Sequence, residues 1–276
     1  DQNMVLGRAG STITLLADST LNSGAGTLRL ASPITTGAEA YRWRIVSTGT
    51  TTLDGDVTSA GAFSVVGPVI FSRTTSVTAN GITFGGAVTA LGHLTLHGAT
   101  TVNGGSVNSD TFAQTYDGAV TVGGAATSTT QFTGVGMRFG STLDGTSKIQ
   151  VTDSGATTYV GAIGGTTAPA HFETDALGSS TFSGGLVRTS SPNSIVVADD
   201  AVVTAANTTF DTTNNGALAT GANISFAKTL NGSGNNTQSV TLNAGTGGIV
   251  VVTGAIGNTH ALNTLTLTHS NGATFN

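Results

Sequence analysis

Short stretches in which apolar and polar residues alternate recur along this chain, each closed by Gly, Asn or Asp. Examples are "STITLLA" (11–17), "ITFGGAV" (82–88), "HLTLHG" (93–98), "KIQVTDSG" (148–155), "QSVTLNAG" (238–245) and "TLTLTHS" (264–270). Alternation with period two places successive side chains on opposite faces of a strand. In "HLTLHG" Leu94 and Leu96 face one way, and His93, Thr95 and His97 the other. No stretch carries the i, i+3, i+4, i+7 spacing of a buried helix face. Pro33, Pro68, Pro169 and Pro192 all fall in turn-like stretches. The pattern predicts an all-β protein of many short strands.

The strands come in phrases that return. "TYVGAIGGTTA" (158–168) reappears as "VVTGAIGNTHA" (251–261), an offset of 254 − 161 = 93, and the flanks agree: Phe172 meets Leu265 and Phe182 meets Phe275. "FGSTLDG" (139–145) returns as "FAKTLNG" (226–232), an offset of 226 − 139 = 87. "FGGAVTALGHLTLHGATTVNGG" (84–105) aligns with "VGAIGGTTAPAHFETDALGSSTFSGG" (160–185) once a few turn residues are skipped. Turns that vary in length between constant apolar positions suit a solenoid, whose coils stack inward side chains and loop insertions outward. Coils of about twenty to twenty-five residues would give roughly a dozen turns, a rod of about 55–60 Å at ~4.8 Å per turn. The expectation is a parallel β-helix, with 1–50 as an N-terminal cap or atypical coils. Residues 51–276 would be the repetitive solenoid, ending in an incomplete repeat at "NGATFN" (271–276). Tandem antiparallel β-sandwich repeats, with periods near about one hundred residues, are the alternative. They fit less well: the single Trp, Trp43, lies outside the repeats, and the long repeat divides into smaller similar units.

Composition narrows the function classes. Hydrophobic residues at 38% with charged residues at only 8% describe a chain that folds rather than a disordered one. Nine Lys and Arg against a net charge of −5 leave no basic footprint for nucleic acid. No apolar run approaches the length of a membrane-spanning helix, so no membrane insertion by this segment is expected. The chain opens on Asp1-Gln2-Asn3 with no signal peptide in view, and reads as a mature product or an excised segment. With no Cys there is no disulfide framework, which is compatible with export in an unfolded state.

Candidate chemistry is sparse. Polysaccharide-active β-helices need carboxylates converging on one groove. Asp54 and Asp56 would share a face of an extended stretch, and Asp199 and Asp200 are adjacent. Asp54-Gly55, Asp117-Gly118 and Asp144-Gly145, however, read as turns. His93 and His97 lie about 13 Å apart on a strand, too far to chelate one ion. His171, His260 and His269 have no Cys and few acids near them in sequence. No metal or cofactor is expected, and no enzyme. One segment stands out: "AYRWRIV" (40–46) puts Tyr41, Trp43 and Ile45 on one strand face and Arg42 and Arg44 on the other. Trp and Arg favour interface hot spots, so Tyr41, Arg42, Trp43 and Arg44 are the candidate partner-binding residues, with a capping or inter-subunit role as the structural alternative.

Phrases such as "QTYDGAVTVGG" (114–124), "TTFDTTNNGALATGANISF" (208–226) and "SVTLNAGTGGIVVVTGAIGNTHALNTLTLT" (239–268) resemble the β-strand repeat arrays of large secreted bacterial surface proteins, the filamentous-haemagglutinin-like and autotransporter-like adhesins. The resemblance runs from about Ser11 onward and rests on repeat grammar, not on a catalytic signature. It implies a right-handed parallel β-helix, export across an outer membrane, and adhesion, biofilm or structural roles at the cell surface. The partners it implies are further repeats of the same chain or copies of it, a surface glycan, or a host or matrix protein. A self-assembling filament or sheath subunit, completed by strand pairing with a neighbour, is the second expectation.

Overall fold

Residues 3–190 and 193–276 are described by a computed structural model; Pro192 lies outside them. The chain winds through three walls of parallel strands. Wall one begins with Met4–Leu6, Leu28–Leu30 and Thr51–Leu53 and ends with Gly272–Phe275, thirteen strands separated by twelve turns. Wall two runs from Ile13–Thr14 through Ile34–Thr35 to Leu230–Gly232, and wall three from Ser19–Gly24 through Trp43–Ser47 to Thr264–His269. Strands Thr75–Phe84 and Leu94–Val102 bend across a corner and serve walls two and three together. Every named pairing is parallel, and no helix occurs among the described residues. This is a β-solenoid, and the antiparallel sandwich is excluded by the direction of its strands. Twelve turns at about 4.8 Å make a rod of roughly 58 Å.

Alternation does what its period requires. Lys148–Asp153 buries every second residue, as does Leu94–Val102 except at Gly98, and the buried ones form ladders from coil to coil. Along wall two Tyr116, Phe139, Tyr159 and Phe182 stack face to face, with centroids 5.0, 5.4 and 5.2 Å apart. Phe132 and Phe172 of wall one and Phe210 of wall three meet this column edge-on, the geometry that ring quadrupoles favour. Coil length varies between partners: Thr51 pairs with Val69 eighteen residues on, whereas Ile195 pairs with Ile224 twenty-nine on. The surplus in the longer coil is a loop over 212–221. Asp211 accepts its Thr213 and Asn215 amides at 2.8 and 2.7 Å, and Asn214 and Asn215 adopt positive φ. At the corner entering wall one, Gly104 lies directly over Gly86. A Cβ there would fall 1.9 Å from the Gly86 carbonyl oxygen, so the corner closes only around glycine.

The repeats seen in the sequence map onto the solenoid with a rotation. Ala156–Tyr159 on wall two corresponds, at offset 93, to Ile249–Val252 on wall one. Between them the chain reaches Ile163, His171–Thr174, Ser179–Phe182, Leu186–Arg188, Ile195–Val197, Asp200–Val203, Asn207–Asp211, Ile224–Phe226, Leu230–Gly232 and Ser239–Asn243 in turn. Ile249–Val252 is therefore the eleventh wall on, and 11/3 is three and two-thirds turns. The same eleven-wall step links Val88–Ala90 on wall one to Ile163 on wall three, and Ile163 to Ile256, which bridges Leu230 on wall two. Three copies thus occupy the three walls in rotation.

Candidate functional site

Strand Trp43–Ser47 of wall three positions the "AYRWRIV" segment, and its alternation divides the side chains as expected. Arg42 and Arg44 are exposed, while Ile45 is fully buried. Trp43, however, is only 2% exposed and stacks on Phe63 of the next coil at 4.8 Å. It is a core residue, and the expectation that its side chain meets a partner is corrected: the period-two pattern that turns both arginines outward turns the indole inward. Tyr41, half-buried, precedes the strand, and its carbonyl accepts the Ser59 hydroxyl at 3.2 Å. What remains at the surface is an open groove of about 360 Å³, where Asp18, Thr20, Arg42, Arg44 and Ser64 face solvent. The Asp18 carboxylate accepts the Arg42 backbone amide at 2.8 Å. Among the described residues neither guanidinium has a side-chain hydrogen bond or ion pair, unlike Arg29 and Arg138, which pair with Asp54 and Asp117. Two unpaired guanidinium groups beside Ser and Thr hydroxyls can hold a carboxylate, sulfate or phosphate group.

The carboxylates do not converge. Asp54 takes Arg29 at 2.6 Å and Ser72 at 2.7 Å; burial pushes its carboxyl up, but these two hydrogen bonds and the charges of Arg29 and Arg73 outweigh that and hold it below the ordinary value. Asp56 accepts the Ser76 amide at 2.8 Å, beyond the turn at Gly55. Asp199 and Asp200 point to opposite sides of the wall. Asp199 is buried and accepts Thr174 and Ser180 at 2.8 and 2.7 Å; burial raises its pKa against those hydrogen bonds, with Asp175 adding to the rise. Asp200 faces outward and accepts the Thr229 amide and hydroxyl.

Asp144 corrects the turn reading. It lies within the wall-three strand Leu143–Gly145, and its carboxylate accepts the Thr166 and Thr167 amides of the next coil at 2.9 and 3.2 Å. In the following copy Asn231 accepts the Thr259 amide at 3.1 Å in the same way. The loop after each Gly-Ala-Ile-Gly phrase is thus latched to the coil before it, while Ile163 is buried in the core and Ile256 packs against it.

The histidines serve local contacts. His93 packs edge-on against Phe112 and accepts the Ala113 amide; His97 pairs with Asp117 at 2.5 Å, and His171 with Glu173 at 3.3 Å. Among the described residues no group of three His, Asp or Glu side chains is placed to hold a metal ion. A second concavity, of about 600 Å³, unites Asp200, Thr229, Ser233 and His260 on wall two. No motif links residues this far apart in sequence. Aligning the internal copies could have found it, because Asp200 and His260 stand where the preceding copy has Ala119 and Thr167. No family model, curated protein or solved structure matches the chain.

Proposed function

We propose that this chain is a segment of an extracellular bacterial surface protein and works without catalysis, as an adhesive or structural β-solenoid stalk. The observation that carries the reading is the eleven-wall step. Equivalent outward positions in successive copies rotate by a third of a turn, so the repetition builds no single repeated face. Equivalent inward positions all enter the same core, and the repetition serves stiffness. Tension along the axis would load the ladder hydrogen bonds of three walls in every turn together, backed by stacked apolar side chains. The likeness to bacterial β-strand repeat arrays supports the location, and the charge-poor exterior of Thr, Ser and Asn suits an exported rod. The Arg42 and Arg44 groove is the surface we assign to a partner, an acidic surface glycan or an acidic patch on a host or matrix protein. Antibodies raised against the chain should label intact cells of its source as strongly as lysed ones; labelling that requires lysis overturns the reading.

A filament or sheath subunit, completed by strand pairing with a neighbouring copy, is the second reading. Thr264–His269 and Gly272–Phe275 are exposed along their whole length, with Leu265 at 36%, Leu267 at 40% and Phe275 at 45%. Open parallel edges with apolar faces template further pairing, with more repeats of the same chain or with another copy. Electron microscopy separates the two: fibres with a regular axial repeat favour the subunit, and dispersed short rods favour the stalk.

A further inference from the structure

We infer that the groove on wall two between Asp200 and His260 binds a neutral saccharide unit. The inference needs only the fold and goes beyond the stalk reading, to which it would add a ligand-binding face. The frame of the groove is present twice. In the second copy Val120 donates to the Thr142 carbonyl and Gly145 to that of Thr167; in the third Ala201 donates to Thr229 and Gly232 to His260, all within 2.8–3.0 Å. On this shared backbone the outward side chains differ: Asp200 replaces Ala119, His260 replaces Thr167 and Ser233 replaces Thr146. Packing and latching are satisfied without these groups, as the second copy demonstrates.

Their chemistry fits a polyol. One Asp200 oxygen accepts the Thr229 hydroxyl at 2.6 Å and the Thr229 amide at 3.2 Å, which fixes the orientation of the carboxylate. Among the described residues its second oxygen has no protein partner, nor has the half-buried His260 ring. The hydrogen bonds from Thr229 are the main cause that holds the Asp200 carboxyl below its ordinary value, so it is an ionised acceptor at neutral pH. A fixed carboxylate oxygen can accept a sugar hydroxyl, and an imidazole can donate to or accept from a second. Val202 and Gly232 supply an apolar floor for the C–H face of a pyranose. The volume of about 600 Å³ lies in the range of small-molecule sites. Charge selects against the alternatives. The carboxylate repels acidic sugars, and Lys228, close enough to lower the Asp200 pKa, offsets its pull on cations.

The test uses the full chain and soluble sugars: glucose, galactose, mannose, N-acetylglucosamine, lactose and, as the acidic control, glucuronate. Saturation-transfer NMR should show contact with at least one neutral sugar at millimolar concentration, and titration calorimetry should give its affinity. Asp200→Asn, which keeps an acceptor for Thr229, and His260→Ala should each weaken binding by roughly tenfold or more while melting near the parent temperature. His260→Ala also serves if Asp200→Asn proves unstable. No transfer to any neutral sugar, equal affinity in both variants, or glucuronate binding as tightly as the neutral sugars would each overturn the inference. The stalk reading would survive all three, because it fails only on cell-surface labelling.

Discussion

Phe182 and Phe275 are the same residue in two copies of one phrase, 93 positions apart, and they should differ widely in what they contribute. Phe182 is 2% exposed, stacks on Tyr159 at 5.2 Å and meets Phe210 at 5.4 Å and Phe172 at 6.3 Å. Phe275 lies in the last coil and is 45% exposed. The difference of 45 − 2 = 43% of a ring surface of about 200 Å² leaves roughly 85 Å² more apolar area in water. At about 25 cal/mol per Å² that is ~2 kcal/mol. Phe182→Ala also opens a closed cavity and removes three aromatic contacts, so its cost should reach about 3–5 kcal/mol. Phe275→Ala leaves a site that water fills and should cost about 1–2 kcal/mol, mostly as fraying of one coil. Urea denaturation of the 276-residue chain, followed by far-UV circular dichroism, measures both. Costs that agree within about 0.5 kcal/mol would refute the reasoning, because stacking coils would then not be what gives an inward residue its energy.

The latch after Gly-Ala-Ile-Gly should tolerate Asp144→Asn, since Asn231 performs the same task one copy on, whereas Asp144→Ala leaves the Thr166 and Thr167 amides without an acceptor and should cost about 1–3 kcal/mol. Faster hydrogen exchange at those two amides in the Ala variant alone checks this. Gly104→Ala should destabilise by about 2 kcal/mol or more, because its Cβ would strike the Gly86 backbone; Gly81→Ala, with open space around it, should change stability by less than about 1 kcal/mol. Thermal melts of the pair decide. Asp199 and Asp54 should respond oppositely to acid. The raised Asp199 pKa means that its folded state binds a proton more readily than its unfolded state. Its contribution to stability is therefore greatest below the unfolded pKa of about 3.8 and falls as pH rises through the folded value. The lowered Asp54 pKa contributes stability above about 3.8 that is lost as pH falls through the folded value. Comparing melting temperature against pH for Asp199→Asn and Asp54→Asn with the parent should remove one slope in each case, and slopes of the same sign in both difference curves would contradict the assignment.

Much of the architecture was legible along the chain. Period two identified the strands, Gly and Asn marked the corners, and the returning phrases required stacked similar units. All of these are local properties that a linear reading preserves. Less of the site was legible. The alternation in "AYRWRIV" separates Arg42 and Arg44 from Trp43 but does not say which side is the core, and Asp144-Gly145 has the letters of a turn while lying in a strand. The Asp200 groove depends on three successive coils, so no contiguous stretch contains it.

By itself, then, the sequence determined that there would be strands, that they would stack, and which residues would repeat. Only the tertiary structure decided which wall each copy occupies. Alternation looks the same on all three walls, and corners of variable length hide how many have been passed, so a step of eleven walls cannot be distinguished from one of twelve by residue count. The stacking of coils settles it, because each strand's wall is defined by its hydrogen-bonded neighbour in the adjacent turn. That same stacking makes Phe182 a core residue, leaves Phe275 half in water, and brings Asp200 and His260 to one groove.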